Sequence, residues 1–190
     1  MYSADEIRHR LLPMLDPTPP SVAPPDASLA AVLIPVLVAG GEPRLVLTKR
    51  SDTLSRHAGE ISFPGGFAEP GEDLAATALR ESQEEIGLRA SEVELLGALP
   101  PLHTRVTGIL IVPFVGLLHV NPIYVPNAAE IAEVLEFSLA DLVAFGVERE
   151  FEFEGSMFKT HVYELDGRVI WGATAHILRS LIEALEPKGE

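Results

Sequence analysis

From Gly66 to Leu88 the chain reads GFAEPGEDLAATALRESQEEIGL, and this segment constrains the fold more than any other. Leu74, Ala75, Ala78, Leu79 and Ile86 recur at helical spacing and predict a helix over 73–86. Glu72 and Asp73 suit its electropositive N-terminal end, and Gly87 suits a left-handed cap after its last turn. On that helix Glu81, Glu84 and Glu85 stand at i, i+3 and i+4, so three carboxylates face one way. Such a row repels itself, and a hard cation with oxygen ligands removes the repulsion. Ahead of the helix, Pro64-Gly65-Gly66 forms a loop whose backbone can approach a ligand closely. Its carbonyls are available to complete a metal shell. The plain alternative for an acidic helix is a solvated face.

The flanking sequence alternates between strand and helix patterns. Residues 4–14 read as a short helix with Ile7, Leu11 and Leu12 on one face, ended by Pro13. Six of the 16 prolines crowd residues 13–25, so residues 1–28 are expected to form a helix and a Pro-rich arm, with one domain over 29–190. In that domain AAVLIPVLVA (30–39) reads as a buried strand, Gly40-Gly41 as a hairpin turn and RLVLTKR (44–50) as the returning strand. VELLGAL (93–99) and ILIVPFVGLLHV (109–120) read as strands, the second bent or bulged at Pro113. SLADLVAF (138–145) predicts a short helix opening on Ser138. FEFE (151–154) and MFKTHVYEL (157–165) predict a hairpin, and GATAHILRSLIEAL (172–185) an amphipathic C-terminal helix. The expected fold class is α/β, an α/β/α sandwich around a mixed β-sheet.

Composition narrows the function. The 190 residues include no cysteine, which excludes disulfides, thiolate metal sites and a cysteine nucleophile. A net charge of −14 argues against non-specific nucleic-acid binding and against an anionic membrane surface. If the substrate is a polyanion, a divalent cation is the obvious means of neutralising it. MYSADEIRHR lacks the pattern of a secretory signal, and the apolar run Leu29 to Ala39 carries Pro35 and is too short to span a bilayer. The expected location is cytoplasmic.

The spacings within 66–88 add specificity. Five residues separate Gly66 from Glu72 and seven separate Glu72 from Arg80; Arg80-Glu81, Glu84-Glu85 and Gly87 complete the array. The segment resembles the Nudix box, G-x5-E-x7-R-E-U-x-E-E-x-G-U with U apolar, with Ser82 departing from it at an apolar position. The resemblance implies a Nudix-type fold with a loop-helix-loop catalytic motif and hydrolysis of a nucleoside diphosphate linked to another group. It makes Glu81 and Glu85 the principal ligands of Mg²⁺ or Mn²⁺, Glu84 an additional ligand and the carbonyl of Gly65 a backbone ligand. Gly66, Glu72 and Arg80 become structural parts of the motif, with Glu72 and Arg80 pairing to orient the helix against its loop. The box does not fix the general base. Glu130 and Glu133 lie in NAAEIAEVLEFSLADL, which is similar to a family segment E-V-x-E-V, and Glu130 is the favoured base.

Upstream run Leu47-Thr48-Lys49-Arg50-Ser51, then Leu54, His57, Gly59 and Phe63-Pro64-Gly65-Gly66. They resemble the signature of coenzyme A pyrophosphatases, L-L-T-x-R-S-x3-R-x3-G-x3-F-P-G-G. Val46 replaces the first Leu, and Ser55 stands where the second Arg is expected, with Arg56 one position later. Ile170 to Ala175 is similar to a further stretch of that subfamily, I-W-G-x-T-A. These likenesses imply coenzyme A or a derivative as the small-molecule partner, cut to 3′,5′-ADP and 4′-phosphopantetheine or its acyl form. Arg50 and Arg56 would bind phosphate. His57 would contact phosphate or hold its loop, and His103 is expected in a loop near the substrate. Trp171 is expected in the core rather than on adenine. A homodimer is compatible with the resemblance. The competing readings are a Nudix enzyme for ADP-ribose or a dinucleoside polyphosphate, and a Nudix module that binds nucleotide without turnover.

Overall fold

The computed structural model describes residues 3–17, 19, 28–55, 57–104, 108–153 and 156–186. The elements run α1 (Ala4–Leu11), β1 (Ser28–Leu37), β2 (Arg44–Arg50), β3 (Ile61–Ser62), β4 (Gly65–Phe67), α2 (Leu74–Ile86), β5 (Glu94–Ala98), β6 (Leu102–His103), β7 (Ile109–Leu118), β8 (Ile131–Ser138), α3 (Leu139–Phe145), β9 (Gly146–Phe153), β10 (Ser156–Leu165), β11 (Arg168–Ile170) and α4 (Gly172–Leu185). β1 is the axis of the main sheet. It pairs in parallel with β7 from Ser28↔Ile109 to Leu37↔Leu118, and antiparallel with β2 and β4. β3 and β8 pair with β2, and β5 and β6 with β7. β11, β10 and β9 form a second, antiparallel sheet.

Strand alternation divides the core into two layers. Ala31, Leu33 and Leu37 of β1 meet Leu74, Ala78 and Ile86 of α2. Ile34 and Val36 point the other way, to a layer shared with α1, α3, α4 and the second sheet. The sheet is therefore covered by helices on both faces, the sandwich expected from the sequence. Ser138 caps α3, accepting a hydrogen bond from the Asp141 N–H, and α4 spans the predicted residues.

Four details differ from expectation. Leu12 is 48 % exposed, because the chain tightens into a 3₁₀ turn at Leu12–Met14 and Leu15 turns inward instead. Pro113 carries no bulge. It lies in the gap between β5, which ends opposite Phe114, and β6, which begins opposite Ile111, so no strand there requires its missing N–H. The register shift falls on β5 instead, between Leu95 and Gly97. His103 belongs to a short strand, paired with Leu110, rather than to a loop. Trp171 is 51 % exposed, because it occupies the extended N-cap position of α4 rather than a core-facing turn. Among the described residues no helix is long and apolar enough to cross a membrane.

Candidate active site

Asp73 starts α2, its carboxylate accepting from the N–H groups of Ala75 and Ala76 at 3.0 Å. Gly87 ends it with φ +74°, a left-handed cap. Ser82 is buried in the apolar face, and its hydroxyl donates to the Ala78 carbonyl at 2.7 Å. That bond satisfies the polar group, so α2 keeps its seat on the sheet.

Glu72 and Arg80 meet despite their separation in sequence. The Arg80 guanidinium donates from Nε to Glu72 Oε1 (2.8 Å) and from Nη2 to Glu72 Oε2 (3.1 Å). This fork holds the Glu72 carboxyl down at about 2, helped by the Glu69 backbone bond and by the Thr77 hydroxyl. Arg80 Nη2 also donates to the Phe67 carbonyl, tying the loop end of β4 to the helix. Arg80 Nη1 reaches Glu81 Oε1 (2.7 Å) and Glu84 Oε2 (3.3 Å).

Glu81 lies directly on the backbone of Gly66. A Cβ added at Gly66 would sit 2.5 Å from the Glu81 carboxylate, so glycine is what lets the two meet. Glu85 is the deepest of the three, 5 % exposed, and accepts the Gly65 N–H at Oε2 (3.2 Å). Burial pushes its carboxyl up to about 7; the Gly65 bond and Arg50 oppose the rise, and the negative charges of Glu81 and Glu130 add to it. Glu84 is mostly exposed beside Arg80. Among the described residues no three acidic or histidine side chains converge closely enough to hold a metal ion in this arrangement.

Arg50 ends β2 next to this cluster, with Nη1 4.0 Å from Glu85 Oε1. Its Nε is buried, with no hydrogen-bond partner among the described residues. Glu130 stands just before β8, where its carbonyl accepts the Ser51 N–H at 2.7 Å. Glu133 is engaged elsewhere, by Arg168 at 2.7 Å. His57 takes a left-handed backbone with φ +55°, and its Nδ1 lies 2.9 Å from Glu60 Oε2, contacts that hold the loop between β2 and β3. Arg56 lies outside the described residues. The sequence reading missed Asn127, whose N–H donates to the Glu85 carbonyl at 2.8 Å. The signal for it was present in Asn-Ala-Ala-Glu, a turn-forming Asn ahead of a carboxylate.

Comparison with known proteins fits this geometry. The NUDIX domain family matches residues 27–156. The uncharacterized Nudix hydrolase NudL of Photorhabdus laumondii is 35 % identical over 173 residues, covering 90 % of this chain and 91 % of that protein. The chain belongs to the Nudix hydrolase family. Two solved structures share the fold at low identity. A C. elegans Ap4A hydrolase matches with TM-score 0.52 at 18 % identity, covering 62 % of this chain and 85 % of the other. The NUDIX domain of Shewanella oneidensis NrtR, complexed with ADP ribose, matches with TM-score 0.50 at 19 % identity, covering 72 % and 86 %.

Membership of the Nudix hydrolases supports hydrolysis of a nucleoside diphosphate derivative with a divalent cation. The residues present suit such an ion. The donors are hard carboxylate oxygens, and buried Glu85 carries like charges beside it that a cation would offset. In this structure Arg80 holds Glu81 and Glu84 through Nη1, while Glu85 is held from the loop side by the Gly65 N–H.

Proposed function

We propose that the chain is a coenzyme A pyrophosphatase, hydrolysing the diphosphate of coenzyme A or a derivative to 3′,5′-ADP and 4′-phosphopantetheine or its acyl form. The observation that carries this reading is the approach of Arg50 to Glu85. Arg50 and Glu85 lie far apart in sequence, yet the signature arginine comes within 4.0 Å of the most buried carboxylate of the box. A guanidinium there offers a diphosphate forked, charge-assisted donors, whereas those of Arg80 on the helix are engaged by Glu72, Glu81, Glu84 and the Phe67 carbonyl. Arg56 is its proposed companion on phosphate, and His57 holds the loop between β2 and β3 through Glu60.

Glu81, Glu84, Glu85 and the Gly65 carbonyl are the proposed ligands of Mg²⁺ or Mn²⁺. Such an ion, when bound, neutralises charge on the diphosphate oxygens and acidifies water. Glu130 is the proposed general base, accepting the proton of the water that attacks phosphorus as the P–O bond of the leaving phosphate breaks. Glu72 and Arg80 hold loop and helix in register. The net charge of −14 disfavours a nucleic-acid substrate.

The test is a comparison of kcat/KM on coenzyme A, acetyl-coenzyme A, ADP-ribose and a dinucleoside tetraphosphate, each with Mg²⁺ and with Mn²⁺. The proposal requires a coenzyme A compound to lead by about a factor of ten or more, and Arg50→Gln to raise its KM. A lead for ADP-ribose or the dinucleotide would overturn the substrate assignment. Binding without turnover of any would favour the non-catalytic module.

A further inference from the structure

The short stretch Asn127–Ala132 joins three parts of the site. The Asn127 N–H donates to the Glu85 carbonyl at 2.8 Å, while the Asn127 carbonyl accepts from Glu130 N–H (2.9 Å) and Ile131 N–H (2.8 Å). Asn127 Oδ1 accepts the Ala129 N–H at 3.2 Å. That bond fixes which end of the amide is which, since only the oxygen can accept. The amide nitrogen is therefore the end directed at Glu130, with Nδ2 3.5 Å from Oε1.

A second feature serves the same end. β8 pairs with β2 in regular register from Arg44↔Ser138 to Lys49↔Glu133, and then Arg50 pairs with Ile131, skipping Ala132. The bulge changes which face the strand end presents. Leu135 and Phe137 face the layer of α4, and simple alternation would send Ile131 there too. Ile131 instead packs in the layer of α2. The same shift brings the Glu130 carbonyl opposite Ser51, directly after Arg50. Turn and bulge thus hold Glu130 between the end of α2 and the end of β2.

The geometry points to Asn127 as the positioning residue for the Glu130 carboxylate, an assignment that rests on Glu130 being the general base. Its oxygen closes the turn, its backbone ties that turn to Glu85, and its amide N–H orients the carboxylate.

Two substitutions separate this role from turn formation. Asn127→Asp keeps a side-chain oxygen for the Ala129 N–H and loses the donor facing Glu130; Asn127→Ser also keeps an oxygen, and its shorter hydroxyl falls short of Glu130. For both we expect kcat to fall about tenfold or more, with KM within about threefold of wild type and thermal midpoint nearly unchanged. Combining either with Glu130→Gln should cost little beyond Glu130→Gln alone, since the group being positioned is already gone. If either variant folds and keeps wild-type kcat, Asn127 only forms the turn and the proposal fails. It fails equally if the losses multiply in the double variant, or if Glu130→Gln alone is fully active. The ratios are measured on whichever nucleoside diphosphate derivative the wild-type enzyme turns over best. A different preferred substrate would overturn the coenzyme A reading without deciding this one.

Discussion

Gly65 and Gly66 are adjacent, yet an added methyl group should harm them in different ways. At Gly66 the new Cβ would lie 2.5 Å from Cδ and Oε2 of Glu81 and 2.7 Å from Oε1. Ordinary contact begins near about 3.4 Å, so the carboxylate must retreat by about 1 Å. It is the far end of a flexible side chain, and the retreat is cheap for the fold. Glu81 is a proposed metal ligand, and a shift of that size in such a group is worth about a hundredfold in rate. At Gly65 the Cβ would meet backbone, 2.4 Å from the Ala31 carbonyl oxygen and 2.6 Å from Val32 Cα, at φ +156°. β4 would have to leave β1, at about 3 kcal/mol or more. Gly66→Ala should therefore lose about a hundredfold in kcat while melting within about 2 °C of wild type, and Gly65→Ala should lower the midpoint by about 6–12 °C. Steady-state kinetics and differential scanning calorimetry read both. Full activity in Gly66→Ala would refute the view that glycine there seats Glu81. A wild-type midpoint in Gly65→Ala would refute the backbone clash.

Two further outcomes follow from the N-terminal helix. Leu11 is fully buried against the layer of α4, so Leu11→Ala should destabilise by about 2–5 kcal/mol, read by urea unfolding; a change under about 1 kcal/mol would mean that α1 is not docked as described. Glu94 accepts two bonds from Arg8, at 3.0 and 2.6 Å, and lies 2.6 Å from His119 Nε2, and these partners hold its carboxyl at about 2 against an ordinary 4.5. Because the folded value is depressed, its contribution is fully present above about pH 4.5 and fades as pH falls toward 2. The stability difference between wild type and Glu94→Gln should follow that course. A difference that persists unchanged at pH 2 would contradict the assignment.

Local signals made much of the fold legible. α2 begins at an Asp cap and ends at a Gly cap, and α4 carries an uninterrupted apolar stripe, so both could be read directly. β8 was harder, because its glutamates interrupt the apolar pattern and its bulge breaks the period of two near Ala132. β9 begins at Gly146, well before the Phe151 at which alternation first catches the eye, since Val147 and the charges after it resemble a loop. The docking of α1 depends on partners far away in sequence, Glu94 for Arg8 and the Leu185 carbonyl for Arg10. At the site, the motif pointed to the pairing of Glu72 with Arg80 and set Glu81 and Glu85 on one face of the helix, which the structure brings beside the Gly65-Gly66 loop. It could not indicate that Arg80 would hold Glu81 and Glu84 together, or that Asn127 would tie Glu85 to the turn before Glu130.

Hydrolysis of the coenzyme A diphosphate by this proposed carboxylate site is tested most directly by mass-resolved product analysis. Purified protein would be incubated with coenzyme A and Mg²⁺ or Mn²⁺, beside Glu81→Gln, Glu85→Gln and a chelated control. The account predicts equal release of 3′,5′-ADP and 4′-phosphopantetheine by wild type, no product after chelation, and a fall in kcat of about a hundredfold or more in each variant. Undiminished turnover in both variants, or cleavage of coenzyme A at another bond, would contradict it.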